Sequence, residues 1–159
     1  MKPRIETIAD RTCVGLFMKM TLIENTTAEL WRSFMPRKGE VKNAIESHLI
    51  SLQEFDDDYF EKFSAMKPFT KWALVEVTRL TEAPSGMKPY IIKGGMYAVF
   101  DYKGMPGDPS IFQYIYLEWL PASLYELDHR PHFEILAEKY KNGDINSEEE
   151  IWIPVQPKQ

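Results

Sequence analysis

Aromatic rings and carboxylates recur at short spacings in this chain, and together they could bind a small organic molecule. Trp72 precedes Glu76 by four positions, Glu150 precedes Trp152 by two, and Phe55 lies in a third segment. Ring faces attract cations, each contact contributing about 0.5–2 kcal/mol depending on desolvation. A carboxylate among rings is costly to desolvate unless a cation compensates it. This combination predicts a site for a planar or bulky organic cation.

Alternate side chains of a β-strand share one face, so strand periodicity sorts the residues of three segments. The expected core-facing set is Ala73, Val75, Val77, Ile151, Ile153, Val155, Ile50 and Leu52. The expected groove-facing set is Trp72, Leu74, Glu76, Glu150, Trp152, Pro154, Ser51, Gln53 and Phe55. Tyr97, on a further strand, reaches the same groove in one of its two registers. The alternative for Glu150 is an exposed edge, because Glu148, Glu149 and Glu150 are consecutive.

The segments that position these residues occur twice. A helix is expected to begin at Thr26, with Glu29 at capping-box spacing, and to end at Pro36; another begins at Asp108-Pro109 and ends at Pro121. The expected strands are residues 4–8, 12–20, 48–55, 71–80, 90–93, 96–102, 132–138 and 149–155. The Gly94-Gly95 pair predicts a tight hairpin turn. The helices align at one offset, since Leu30, Trp31, Phe34, Met35 and Pro36 match Ile115, Tyr116, Trp119, Leu120 and Pro121.

This order predicts an α+β fold built from a duplicated ββαββ module. One domain is expected over residues 1–159, with repeat 1 at about 1–82 and repeat 2 at about 83–159. The modules would share one antiparallel sheet, with two helices on one face and a ligand groove on the other. Coincidence is the alternative, because apolar helices that end in proline are common.

Composition excludes several classes of function. The net charge of -5 argues against direct nucleic-acid binding, since neutralisation of phosphates by basic residues supplies most of that affinity. The single cysteine, Cys13, excludes a disulfide framework and a multi-cysteine metal site, and no phosphate-binding or nucleophile-elbow motif occurs. His129 and His132 flank Pro131 and are assigned to a turn rather than a metal pair. We expect no cofactor, no metal, no membrane segment and a cytoplasmic location.

Further motifs resemble a known family. They are Gly95-Met96-Tyr97-Ala98-Val99-Phe100, Lys103-Gly104, Trp119-Leu120-Pro121, Tyr125-Glu126-Leu127, Arg130-Pro131, Phe133-Glu134 and Glu149-Glu150-Ile151-Trp152-Ile153-Pro154. The chain resembles the GyrI-like small-molecule-binding family, which includes the effector-binding domains of AraC-type and multidrug-sensing regulators. The likeness is looser in the first half, where Leu30-Trp31 and Lys71-Trp72-Ala73 carry it.

The resemblance implies a duplicated α+β module with a ligand groove between its repeats. It implies lipophilic cationic ligands, held by aromatic stacking and by a buried glutamate that maps to Glu150. The chain would be a stand-alone member, because no helix-turn-helix segment precedes Met1.

Three functions remain in competition. Capture of an amphipathic, cationic aromatic compound ranks first. Hydrolysis of strained, cyclopropane-bearing toxins, which the resemblance implies for some family members, ranks second, with Glu150 as the general base. The third is a protein partner, either gyrase or a separate transcription regulator, bound through acidic surfaces such as Asp56-Asp57-Asp58.

Overall fold

The structure is a computed structural model that describes residues 1–159. Its strands are β1 (Arg4–Ile8), β2 (Arg11–Met20), β3 (Leu49–Glu54), β4 (Phe69–Glu76), β5 (Lys88–Ile92), β6 (Gly95–Lys103), β7 (Tyr125–Leu127), β8 (His132–Leu136) and β9 (Glu148–Pro157). Eight of them form one antiparallel sheet in the order β1-β6-β9-β8-β3-β4-β2-β5, and the short β7 pairs with the end of β9. The strand order is symmetric. Exchanging β1 with β5, β2 with β6, β3 with β8 and β4 with β9 gives the same order, read from the other edge of the sheet. A pseudo-twofold axis therefore passes between the central strands β3 and β8.

Two helical segments cover one face of this sheet. Helix α1 (Thr27–Phe34) continues into a 3-10 turn (Met35–Glu40). Helix α2 (Pro109–Tyr114) continues through a π-helical turn (Ile115–Trp119) into the short helix α3 (Leu120–Ala122). The predicted α+β architecture, one antiparallel sheet with both helices on one face, is confirmed. No helix of the chain combines the length and the apolar character needed to cross a bilayer.

The helices pack on separate hydrophobic clusters. Leu30 and Phe34 of α1 cover Val14, Ala73 and Val75, which lie on β2 and β4. The second segment places Ile111 and Ile115 on a cluster from β6 and β9 whose members are Ala98, Phe100, Ile151, Ile153 and Val155. The central strands β3 and β8 lie between these two clusters. The middle of the helix-bearing face therefore belongs to neither cluster.

The helix-free face is the packed interior of a strongly curled sheet. One cluster joins Cys13 and Ile92 from one end of the sheet to Tyr97 and Val99 from the other. Trp152 stacks on Phe133 near its middle, with ring centroids 5.2 Å apart. The structure therefore differs from the expectation of a ligand groove on this face, since aromatic and aliphatic side chains fill it.

The sorting of β3 is wrong by one residue. Ile50 pairs with Leu74 and Leu52 pairs with Trp72, so Ile50 and Leu52 share the face of the two residues that they were expected to oppose. Both faces of this central strand are buried, with Ser51 and Gln53 at 5% and 8% exposure. Alternation between apolar and polar residues cannot identify the core face when neither face meets solvent.

Two local predictions are also wrong. The Gly94-Gly95 pair does not form a hairpin, because β5 pairs with β2 while β6 pairs with β1. Gly94 instead lies where the β5–β6 connection meets the β1–β2 connection. Its N–H donates to Asp10 Oδ1 at 2.8 Å. Thr26 makes no side-chain capping bond to α1. The cap is supplied by Asn25, whose Oδ1 accepts from the Thr27 N–H at 3.0 Å.

Candidate functional site

Polar side chains of the sheet occupy the middle of the helix-bearing face, between the two hydrophobic clusters and the helices that cover them. We call this region the central cleft, and its members from the sheet are Ser51, Gln53, Lys71, His132, Glu134 and Glu149. Strand register places Gln53 beside Lys71 on one side and His132 on the other, and Ser51 beside Glu134. Charged side chains are rarely buried without a partner, so their concentration here marks a site.

Glu134 lies at the centre of the cleft, close to the pseudo-twofold axis. Glu134 is buried, with only 7% of its surface exposed. Gln53 Nε2 donates to Glu134 Oε1 at 3.2 Å, and no cation lies within ion-pair distance. Burial raises the pKa of the Glu134 carboxyl, although the Lys71 charge and the Gln53 hydrogen bond oppose the rise. The ionised form is thus poorly compensated within the protein.

Glu149 provides a second carboxylate on the neighbouring strand β9. It is half-buried and pairs in register with Tyr102 of β6. Burial and, to a smaller extent, the Glu134 charge raise its pKa to about 7, while the Lys71 charge opposes the rise. The side chain therefore exchanges its proton near neutral pH, as a general base or a pH-sensitive cation site would require.

Lys71 brings a positive charge to the other side of the cleft. Burial lowers the pKa of its ammonium group, and the charges of Glu134 and Glu149 oppose that effect. The ammonium makes no hydrogen bond and no ion pair with any protein group. Two carboxylates and one ammonium leave one negative charge in excess when both carboxylates are ionised.

Aromatic side chains close one end of the cleft. Tyr116 lies in the π-helical turn, and its hydroxyl shares a 2.7 Å hydrogen bond with His132 Nδ1. Burial, together with the Arg130 charge, lowers the pKa of His132 to about 3, so the imidazole is neutral at pH 7. Phe60 stacks on this imidazole with centroids 5.3 Å apart, and it lies 4.7 Å from the Tyr116 ring. Phe55 meets His132 edge-on at 5.0 Å.

An open pocket adjoins this aromatic end. Its volume is about 170 Å³, and its walls include Phe55, Phe60 and His132. Its lining also includes four carboxylates and one guanidinium, those of Glu54, Asp56, Asp57, Asp128 and Arg130, so acidic groups are in excess. Phe60 therefore lines the pocket with one side and covers the neutral histidine with the other. The pocket provides an acidic approach to the central cleft.

The predicted site residues are divided between the two faces. Gln53 and Phe55 belong to the central cleft and its aromatic end, as described above. Glu150 lies on the opposite face, where Oε2 accepts from Arg4 Nη2 at 2.6 Å and Oε1 accepts from Trp152 Nε1 at 3.1 Å. Arg4 also donates to Asp101 at 3.1 Å, so Glu150 is part of a surface ion-pair network. Its role in ligand binding stays a prediction.

The other predicted residues are inside the curled sheet or at its margin. Trp72 and Trp152 are 8% and 3% exposed, and Trp72 Nε1 donates to Glu54 Oε1 at 2.7 Å. Tyr97 is fully buried, with its hydroxyl donating to the Lys93 carbonyl at 2.8 Å. Glu76 is half-buried and lies 3.0 Å from His48 Nε2. These residues do not line the central cleft.

Sequence reasoning overlooked most of the residues that the cleft brings together. Lys71 shares a strand face with Ala73 and Val75, and Glu149 shares one with Ile151 and Ile153. Both charges therefore lie on strand faces that the sequence assigns to the core. A charge on a core face is the signal that could have revealed them. Tyr116 falls at the position of Trp31 in the alignment of the two helices, and Phe60 lies between two expected strands, so neither pattern predicts a site residue.

The structure contains no group of three or more His, Cys, Asp or Glu side chains that could hold a metal ion. His129 points to Asp57, with Nδ1 3.4 Å from Oδ1, while His132 is buried against Tyr116. The cleft therefore offers charges and rings rather than a metal-ligand set.

Comparison with known proteins gives a family and a fold. Residues 1–156 match the family model of the GyrI-like small molecule binding domain. No curated protein sequence matches the chain significantly. Several solved structures share its fold.

One is SAV2435, solved bound to tetraphenylphosphonium, with a TM-score of 0.71 and 16% identity over 98% of this chain and 94% of that one. Another is the C-terminal domain of EcmrR, with a TM-score of 0.70 and 16% identity over 99% and 98% of the two chains. A hydrolase from Listeria innocua gives a TM-score of 0.62 and 10% identity over 98% and 92%.

Proposed function

This chain belongs to the GyrI-like small molecule binding domain family, and we propose that its ligand is an amphipathic aromatic cation bound in the central cleft. The observation that carries this proposal is the Glu134 carboxylate, which is 7% exposed and has a single amide donor and no cation within ion-pair distance. An incoming cation would supply the missing charge, and the site would then bind it more strongly than a neutral analogue.

Aromatic contacts would hold the apolar part of the ligand. Phe60 lies against Tyr116 and His132 at the end of the cleft. A ring of the ligand would take the place of Phe60 against these two residues, and the acidic pocket would attract the cation before it enters. SAV2435, which has the same fold, was solved with such a cation, tetraphenylphosphonium.

The test measures calorimetric binding of tetraphenylphosphonium, with neutral triphenylphosphine oxide as the comparison ligand. Three variants remove one negative charge each: Glu134→Gln, Glu149→Gln and Glu150→Gln. We expect the first two to weaken cation binding by about tenfold or more, since loss of one charge contact costs about 1.4 kcal/mol or more. Glu150→Gln is the matched control and should bind as the wild type does.

The same three variants also distinguish the two faces of the sheet. If Glu150→Gln alone loses binding, the ligand occupies the Glu150 face that the sequence predicts. Equal affinity of the wild type for the cation and for the neutral phosphine oxide would contradict a cation site on either face.

Hydrolysis of an electrophilic small molecule is a second candidate, favoured by the Glu149 pKa of about 7. Ionised Glu149 would take a proton from a water whose oxygen attacks a ring carbon of an activated cyclopropane. The ring C–C bond would break, and its electron pair, on the carbon that bears the activating group, would take up the proton from Glu149. Turnover of an activated cyclopropane by the wild type, lost in Glu149→Gln with substrate affinity retained, would support an enzyme. Binding without turnover leaves the capture function alone.

A further inference from the structure

Lys71 is the charged group of the central cleft that capture of a simple cation does not explain. A positive charge inside a cation site repels the ligand and lowers its affinity. Lys71 nevertheless lies on β4 with its side chain on the helix-bearing face, directly beside Gln53 in the register. Gln53 in turn donates to Glu134, so the ammonium enters the same cleft as the proposed cation partner.

The Lys71 ammonium has no partner in the protein. Neither Glu134 nor Glu149 comes within ion-pair distance of it, although the charges of both carboxylates act on it. Lys71 is half-buried, so water reaches its ammonium but no protein acceptor does, and an anionic group on a ligand would add a charge-assisted hydrogen bond there. The unpartnered ammonium is thus an independent sign that the ligand carries an anionic group or a strong acceptor.

The charges are separated across the cleft. In the strand order β9-β8-β3-β4, Glu149 lies on the first strand, Glu134 on the second and Lys71 on the fourth. Neighbouring strands are about 4.8 Å apart, so the outer two backbones are separated by roughly 14 Å. The cleft therefore presents a negative side and a positive side, with polar and aromatic side chains between them.

We infer that the natural ligand is an aromatic zwitterion, whose cationic end binds Glu134 and Glu149 while its anionic end binds the Lys71 ammonium. This inference rests on the proposed function and narrows its ligand class. A carboxylate, sulfonate or phosphate on the ligand would satisfy Lys71 equally, and each would turn a repulsive charge into an attractive one.

The experiment compares two dyes that differ in one group. Rhodamine 110 carries a free carboxylate and is zwitterionic at pH 7, whereas rhodamine 123 is its methyl ester and a simple cation. Fluorescence anisotropy titration gives a dissociation constant for each dye. We expect the wild type to bind the zwitterion about tenfold more tightly, as one added charge-assisted contact predicts.

Variants of Lys71 then assign the preference to its charge. Lys71→Met keeps the length of the side chain without its charge, and it should remove the preference while tightening the binding of rhodamine 123. Lys71→Arg should retain the preference. Lys88→Met is the matched control for net charge, because Lys88 lies exposed on the edge strand β5.

The outcomes separate the two proposals. Wild-type protein that binds rhodamine 123 as tightly as rhodamine 110 would overturn the zwitterion inference, and this measurement needs no variant to fold. A preference that persists in Lys71→Met would overturn it too. If Glu134→Gln still weakens both dyes in either case, capture of a cation stands. If neither dye binds the wild type, both proposals fail.

Discussion

At the scale of single residues, the carboxyl group of Glu149, which is proposed to bind the cation, also makes the stability of the fold depend on pH. Its pKa is raised to about 7 in the folded chain from an ordinary value of 4.5, chiefly by burial. The folded state therefore holds this proton more tightly than the unfolded state. The stabilisation from that proton is complete below pH 4.5 and is lost as the pH rises through 7.

Glu149→Gln should consequently be more stable than the wild type at alkaline pH, because glutamine resembles the protonated side chain. We expect the difference in Tm between variant and wild type to increase from pH 5 to pH 8 and to level off above it, measured by thermal unfolding. Comparing the two proteins at each pH removes the contribution of His132, whose lowered pKa acts in the opposite direction. A difference independent of pH would contradict the raised pKa.

At the scale of elements, the segment that connects β3 to β4 covers the aromatic end of the central cleft. Phe55, Tyr59 and Phe60 pack on one another. The ring centroid of Phe55 lies 4.5 Å from that of Tyr59 and 5.1 Å from that of Phe60. Phe60 lies over His132 and Tyr116, where the proposed ligand ring would stack. The ring of Phe60 and the ligand therefore compete for one surface.

Phe60→Ala should increase the affinity for tetraphenylphosphonium several-fold, because the competent state no longer requires the ring to move away. The association rate in stopped-flow fluorescence should rise as well. Phe63→Ala is the control, since Phe63 belongs to the same segment but is 59% exposed. Weaker binding by Phe60→Ala would show that Phe60 contacts the ligand instead of competing with it.

The elements also show how far sequence reasoning reaches. Both helices, eight of the nine strands and their common face could be predicted, because each carries its own periodicity and end signals. The partners of β1 and β5 could not, since Gly94-Gly95 predicts a local hairpin of β5 with β6, while β5 pairs with β2 and β6 pairs with β1. The central cleft was missed for a related reason. Ser51 and Gln53 resemble an exposed strand face, yet both are buried in the folded chain beside Glu134 and His132 of the second module.

At the scale of the whole molecule, the first strand of each module pairs with a strand of the other module. This pairing makes the two modules depend on each other for their sheet. Strand β1 pairs with β6 of the second module, and β5 pairs with β2 of the first. The central pair of β3 with β8 adds a third connection across the pseudo-twofold axis. Neither module can complete its sheet alone, so local loss of stability in one module should be transmitted to the other.

Ile151→Ala tests this coupling, because Ile151 is 1% exposed in the cluster under the second helical segment. The substitution should cost about 2–5 kcal/mol of unfolding free energy. In hydrogen exchange, slow amides of β2 and β4 should lose protection by the same factor as those of β6 and β9, since all of them open through global unfolding. Val75→Ala, in the cluster under α1, is the reciprocal change and should give the same uniform loss. Loss confined to the mutated module would instead mean that the modules unfold independently, and the cleft between them would then lie at a hinge instead of within one rigid sheet.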